Sequence, residues 1–405
     1  MAHQILMLGG FRAGKSSILA SILYALKENT GGDIFTVIDQ TDYTAAERAA
    51  VRLEDKRLEI SKYLKNRNKV VAENSKFLVD MNPTQDYNEY KLTTRIDGAA
   101  NVDFQFVDVA GEYMEETHQK YNDLKKWVSG SDVFIVAIDT PYMMETDEDT
   151  NRVYNRIEEI TKVLSTICGN IEDPESEKKL VIFCPVKCET WVRPKKLFVD
   201  IEKRHEHAEE VTNKVKQSYK TLINTLVKSK GVDLWVMPIQ TVGALEFVET
   251  TDAYKYYKDD NDAAGVRCSY DELTGIVRLE NGKTLMGVDE NQVEKNTDST
   301  RNNGLIDIPY AWYKVNDQKE YAPVFCEQPA YHIIRFLVNK ELMVNKRKKQ
   351  EIEQSPWYKR LYSWFVDPPF GKYIENYKRA VDLLESNNKI KESGDGFTKI
   401  TQTIS

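Results

Sequence analysis

Gly9-Gly10-Phe11-Arg12-Ala13-Gly14-Lys15-Ser16-Ser17 lies between an apolar run, Ile5-Leu6-Met7-Leu8, and a helix-like run, Ile18-Leu19-Ala20-Ser21-Ile22-Leu23. Its first eight residues read G-x-x-x-x-G-K-S, a pattern that wraps phosphates when a strand precedes it and a helix follows. The glycines allow backbone dihedrals closed to other residues, so that successive N–H groups converge on one anion at the positive end of a helix. Lys15 then reaches the outer phosphates as a point charge, and the Ser16 hydroxyl becomes a magnesium ligand. The expected ligand is a nucleoside di- or triphosphate with Mg2+.

The 405 residues exceed the usual size of a single core, so one large domain with insertions, or two to three domains, is expected. A formal charge of −8 argues against general nucleic-acid binding. Five cysteines, Cys168, Cys184, Cys188, Cys268 and Cys326, fit a reducing compartment, and the close pair Cys184/Cys188 has no second pair or histidine beside it for a metal site. With no signal-peptide pattern at the start and no run approaching the roughly 20 apolar residues of a membrane span, a cytoplasmic location is expected.

Beyond the first helix, residues 44–66 carry uneven apolar positions among alternating charges and predict a solvated helix within an insertion near 33–80. Tyr90–Ile96, the turn Asp97-Gly98-Ala99, and Val102–Val109 predict a hairpin. The second strand delivers Asp108 and Gly111 to its carboxyl end, where open α/β sheets hold their ligands. An aspartate there can hold magnesium through water, and Gly111 can offer its N–H to a terminal phosphate.

In this order, GGFRAGKSS, then NPTQDY, then DVAGE, the chain resembles the Ras-like branch of the P-loop GTPases over about residues 4–245. The resemblance implies an α/β fold with a mostly parallel sheet and helices on both faces. It makes Thr84 the switch residue that meets magnesium and the terminal phosphate, and it places Glu112 where the family orients its attacking water. Val133–Asp139 and Lys179–Val186 are near-continuous apolar runs suited to buried strands, with a helix from about Asp147 to Ile167 between them. Helices are also expected over Tyr113–Val128 and about Ile201–Lys228. Val186-Lys187-Cys188-Glu189 stands at the family's base-reading Asn-Lys-x-Asp. Lys187 matches, Glu189 keeps the acid on a longer arm, and Val186 lacks the amide. Thr241-Val242-Gly243 stands where the family sets a small-residue loop against the base.

The GTPase core is thus expected over 1–245, a β-rich insertion over 246–325, the core's last helix over 326–350, and a helical, aromatic-rich tail over 351–405. Protein partners are expected at the switch regions, the insertion or the tail. Trp357 to Phe365 is expected to pack on its own domain in preference to a membrane, and His205 and His207 point apart on a charged helix. The function implied is a Mg2+-dependent GTP-hydrolysing switch that cycles between GTP and GDP with a slow intrinsic rate. Arg12 supplies either the charge of an arginine finger or a surface salt bridge. An ATPase, or a nucleotide-bound adaptor that does not hydrolyse, is the alternative. The layout also looks similar to divergent GTPases of bacterial multi-protein and defence systems.

Overall fold

The computed structural model describes residues 2–10, 13–28, 35–39, 77–78, 87–96, 100–168, 171, 173–174, 177–192, 201–243, 245–259, 265–295, 309–315, 323–355, 370–386, 390, 393–394 and 396–404. In chain order, β1 (His3–Gly9) feeds α1 (Lys15–Glu28), and then come β2 (Phe35–Asp39), β3 (Phe77–Leu78), β4 (Asn88–Ile96) and β5 (Asn101–Asp108). A 3-10 turn, Gly111–Met114, precedes α2 (Tyr121–Gly130), β6 (Val133–Asp139), α3 (Thr140–Glu145), α4 (Glu148–Tyr154), α5 (Ile157–Cys168) and β7 (Lys179–Val186). Next are α6 (Ile201–Ser218), α7 (Lys220–Lys228) and β8 (Val232–Val236).

Among the described residues these strands, β3 excepted, form an eight-stranded sheet with a late strand, β16 (Thr398–Lys399), in the order β16-β8-β7-β6-β1-β5-β4-β2. The pairs β1/β5, β1/β6, β6/β7 and β7/β8 are parallel, while β4/β5, β2/β4 and β16/β8 are antiparallel. The fold is therefore α/β with a mostly parallel central sheet. Every residue of β6 is buried, as a strand covered on both faces requires. After β1 the chain crosses to the edge strand β2 and returns inward through β4 and β5, then passes to β6 on the other side of β1. The crevice beside β1, at the carboxyl ends of the parallel strands, is thus a topological switch point, where such sheets bind ligands.

Two smaller sheets follow. One joins β10 (Tyr254–Tyr256), β11 (Val266–Asp271), β12 (Ile276–Leu279), β13 (Thr284–Leu285) and β14 (Val293–Lys295) around a satellite core of Tyr254, Cys268 and Val277. The other sets β15 (Tyr310–Val315) between β9 (Leu245–Thr251) and β3. Then come α8 (Glu327–Gln354) and α9 (Phe370–Glu385). Among the described residues no helix is long and apolar enough to cross a membrane.

The helices differ from the sequence reading in three places. The helix expected over 147–167 is two helices, α4 and α5, because Arg156 between them takes a left-handed backbone (φ 51). The helix expected over 201–228 is broken at Tyr219, whose buried ring packs on Phe183 with centroids 5.0 Å apart. The helix expected from Tyr113 is the 3-10 turn first and becomes α-helical only at Tyr121. The expectations at 44–66, at Trp357–Phe365 and for the side chain of His205 lie outside the described residues, and His207 is exposed, 3.6 Å from Glu210.

At the amino ends of the central strands β1 and β6, α8 is fastened by charge. His3 Nδ1 lies 2.6 Å from Asp132 Oδ2 and Nε2 lies 2.9 Å from Glu341 Oε1, while Lys340 donates to Asp132 at 2.6 Å. Burial opposes the charge on His3, but its hydrogen bonds to the two carboxylates outweigh burial and raise its pKa. A raised histidine contributes stability in full below its ordinary value of about 6.5 and loses it as pH rises through the folded value. Chemical denaturation at stepped pH should show wild type losing stability above about pH 6.5 relative to His3→Gln. Parallel curves for the two proteins would refute this coupling.

Candidate functional site

The phosphate-binding pattern sits at the carboxyl end of β1. Gly9 (φ 151) and Gly14 (φ 100) hold backbone states that other residues rarely adopt. Gly10 is required for space: a Cβ there would stand 2.2 Å from the carbonyl oxygen of Tyr154. The turn is closed by Ala13 N–H donating to Gly10 O (3.2 Å), and α1 is entered by Ile18 N–H donating to Gly14 O (2.9 Å). The first N–H groups of α1 have no partner within the helix, so its amino end favours an anion. Phe11 and Arg12 lie outside the described residues, as does Thr84.

Lys15, the first residue of α1, is buried and donates to Gly9 O (3.1 Å) and Gly10 O (3.0 Å). Burial lowers its pKa. The carboxylates of Asp108 and Glu112 offset part of that, and the Arg156 charge adds to it. Ser16 Oγ donates to Asp108 Oδ2 at 2.6 Å, which ties the first turn of α1 to the end of β5. This hydroxyl and carboxylate form a hard-oxygen pair suited to magnesium. Among the described residues no group of three or more His, Cys, Asp or Glu could hold a metal by itself. A cation at Ser16 and Asp108 would therefore complete its shell with phosphate and water, as magnesium commonly does. Gly111 and Glu112 follow directly in the 3-10 turn, and Ser17 continues α1.

The other half of the site lies at the ends of β6 and β7. Val186 pairs with Asp139, and its Cγ2 would stand 3.4 Å from a Cβ on Gly14, so the two loops touch. Lys187 takes a left-handed backbone (φ 59) and its ammonium pairs with the fully buried Asp139 carboxylate. Burial raises the Asp139 pKa, and Lys187 counteracts it. Asn155 clamps the same strand end: its Oδ1 accepts from Asp139 N–H (2.7 Å) and its Nδ2 donates to Asn151 Oδ1 (2.9 Å). Removing that acceptor leaves a buried N–H without a partner, so Asn155→Ala should lower stability by about 2–3 kcal/mol, read by urea denaturation. A loss below about 0.5 kcal/mol would deny it a clamping role.

Glu189 is buried beside the 241–243 turn, and its Oε1 accepts from Gly243 N–H at 3.1 Å. Burial pushes its carboxyl up to about 7, although backbone N–H groups and Lys187 pull the other way. Thr241 is buried, Val242 lies half-buried on the main core, and Gly243 (φ 75) makes the turn. Trp191 stacks on Phe247 with ring centroids 5.5 Å apart, which ties this end of the site to β9.

Asp108 is thus placed beside Ser16, Lys187 lies on Asp139, and Glu189 faces the 241–243 turn. Three residues escaped the sequence reading. Asp139 is the last residue of an apolar strand and belongs to no motif. Asn155 and Arg156 sit inside what reads as one continuous helix. Helical apolar spacing continues across them, so only the packing of Tyr154 on Gly10 discloses the break.

No protein-family model matches this chain, and no curated protein matches it. Two solved structures of the GTPase-like domain of S. cerevisiae Ski7 are similar to it. The form bound to GDP and inorganic phosphate is 13% identical, with a TM-score of 0.29, over 78% of this chain and 71% of that one. The form bound to GTP is 12% identical, with a TM-score of 0.29, over 80% of this chain and 72% of that one. At such TM-scores the likeness supports no inference about this chain's activity.

Proposed function

We propose that this chain is a magnesium-dependent, GTP-binding and GTP-hydrolysing switch. The observation that carries the reading is the convergence of the buried Lys15 ammonium with the Ser16 hydroxyl and Asp108 carboxylate, 2.6 Å apart, where the glycine turn enters α1. Phosphoryl transfer needs positioning and charge neutralisation more than covalent chemistry, and these groups supply both. Lys15, now turned onto its own loop carbonyls, exchanges them for phosphate oxygens. Magnesium held at Ser16, Asp108 and Thr84 would neutralise the charge that develops between the outer phosphates. Glu112 stands in the turn after Asp108, and as a carboxylate near a triphosphate it makes intrinsic hydrolysis slow.

Guanine preference rests on Glu189, whose carboxylate can accept from the base once ionised, with Lys187 set beside it. The link to a partner follows from β3, which pairs with β15 and whose Leu78 N–H donates to Glu280 O at 2.8 Å. β3 thereby joins the two small sheets, which supports them as one surface for a partner. Single-turnover hydrolysis of GTP and ATP, measured side by side with magnesium and with chelator, tests the reading. The expected result is magnesium-dependent cleavage of GTP. Binding of GTP with no cleavage over hours would leave a nucleotide-bound adaptor, and faster cleavage of ATP would make the chain an ATPase.

A further inference from the structure

Arg156 belongs to no regular element, and the site described above gives it no task. It is 1% exposed, and its left-handed backbone is a state that surrounding packing has to impose on a residue with a side chain. The packing is visible on both sides of it: Tyr154 presses its carbonyl against Gly10, and Asn155 grips Asp139. The turn that carries Arg156 is therefore fixed to the phosphate loop itself.

A guanidinium has five N–H donors. In Arg156, Nη2 donates to Glu115 Oε1 at 2.7 Å and Nη1 lies 3.7 Å from Glu159 Oε1, while Nε is buried without a hydrogen-bond partner among the described residues. The asymmetry of exposure is informative. The arginine side chain is 2% exposed, whereas Glu115 is 39% and Glu159 34% exposed. Either carboxylate can retreat into water at little cost, and the cation cannot. The Arg156 charge also reaches the Lys15 ammonium, as do those of Asp108 and Glu112.

We propose that Arg156 is the chain's own arginine for the terminal phosphate of a bound nucleoside triphosphate, and that Glu115 and Glu159 hold it until that phosphate arrives. This rests on the reading of residues 9–16 as a phosphate site. A planar fork of N–H donors matches phosphate oxygens better than a point charge does. During hydrolysis the water oxygen bonds to the terminal phosphorus as the bond to the bridging oxygen breaks. The electron pair leaves on the diphosphate, the water proton passes to the released phosphate, and Arg156 neutralises the transferred group. Because Glu115 follows the 111–114 turn, moving Arg156 from carboxylate to phosphate also releases that turn. One side chain thereby senses the third phosphate and reports it.

The test compares affinities for GDP and for a non-hydrolysable GTP analogue, by calorimetry, in wild type, Arg156→Gln and Glu115→Gln. Arg156→Gln should lose roughly 10- to 100-fold in affinity for the triphosphate and less than about twofold for GDP, which lacks the phosphate it serves. Its single-turnover rate should fall by about 10³-fold or more. Glu115→Gln should bind the triphosphate as well as wild type or better. If Arg156→Gln does not fold, Arg156→Lys, which keeps the charge and loses the fork, is measured in the same way. Equal losses for GDP and the triphosphate, or no loss for either, would overturn the proposal. Failure of wild type to bind either nucleotide would instead remove the phosphate-site reading, and this inference with it.

Discussion

Lys15→Ala is expected to weaken binding of GTP and GDP by about 2–5 kcal/mol, roughly 30-fold to several thousandfold, the range for truncating one member of a buried charge pair. The same change should leave the fold nearly as stable as before. Burial lowers the Lys15 pKa, so the folded chain opposes the very charge that phosphate would welcome. Below its ordinary value near 10.4 the charged lysine costs folding energy, and alanine removes that cost along with the two bonds to Gly9 O and Gly10 O. Competition against a fluorescent guanine nucleotide reads the first effect, and urea denaturation reads the second. A variant that loses stability and affinity together would point to a structural lysine.

Glu189→Gln should change base choice and stability in opposite senses. With its carboxyl pushed up to about 7, Glu189 holds a proton in the folded chain that an ordinary glutamate near 4.3 has given up. The folded state therefore binds more protons than the unfolded one between these values, and stability falls as pH rises through that window. At pH 8 the penalty approaches about 3.5 kcal/mol, since each pKa unit is worth about 1.4 kcal/mol. Replacement by glutamine should recover most of that in urea denaturation at pH 8 and little at pH 4. It should also weaken GTP by roughly 10- to 100-fold through loss of the charged acceptor, with ATP nearly unaffected. Since two guanine N–H groups favour the ionised form, GTP binding near pH 7 should release a proton. Calorimetry in buffers of different ionisation enthalpy detects it, and a binding enthalpy that ignores the buffer would exclude Glu189 as the base acceptor.

The strand, glycine turn and helix at the start of the chain were legible because three signals coincide there: an apolar run, glycines and a helical period. The hairpin at 88–108 was equally plain, since β4 alternates and Gly98 marks its turn. Asp108 could be assigned from its strand end alone. The partner of Lys187 could not. It depends on Asp139 standing beside Val186 in the β6/β7 register, a tertiary fact that neither run contains. The break at Asn155 and Arg156 was hidden for a related reason. Val153, Ile157, Ile160, Val163, Leu164 and Ile167 keep helical spacing through it, and the turn is imposed by the approach of Tyr154 to Gly10. Local pattern therefore discloses the elements and their polarity, while the residues that join two loops emerge only from packing.

The most direct measurement is titration calorimetry of GTP into the full chain, with and without magnesium. A saturable heat corresponding to one nucleotide per chain, weakened when magnesium is chelated, is the predicted result. The absence of any heat from GTP, GDP and ATP at millimolar concentration would contradict the account at its base.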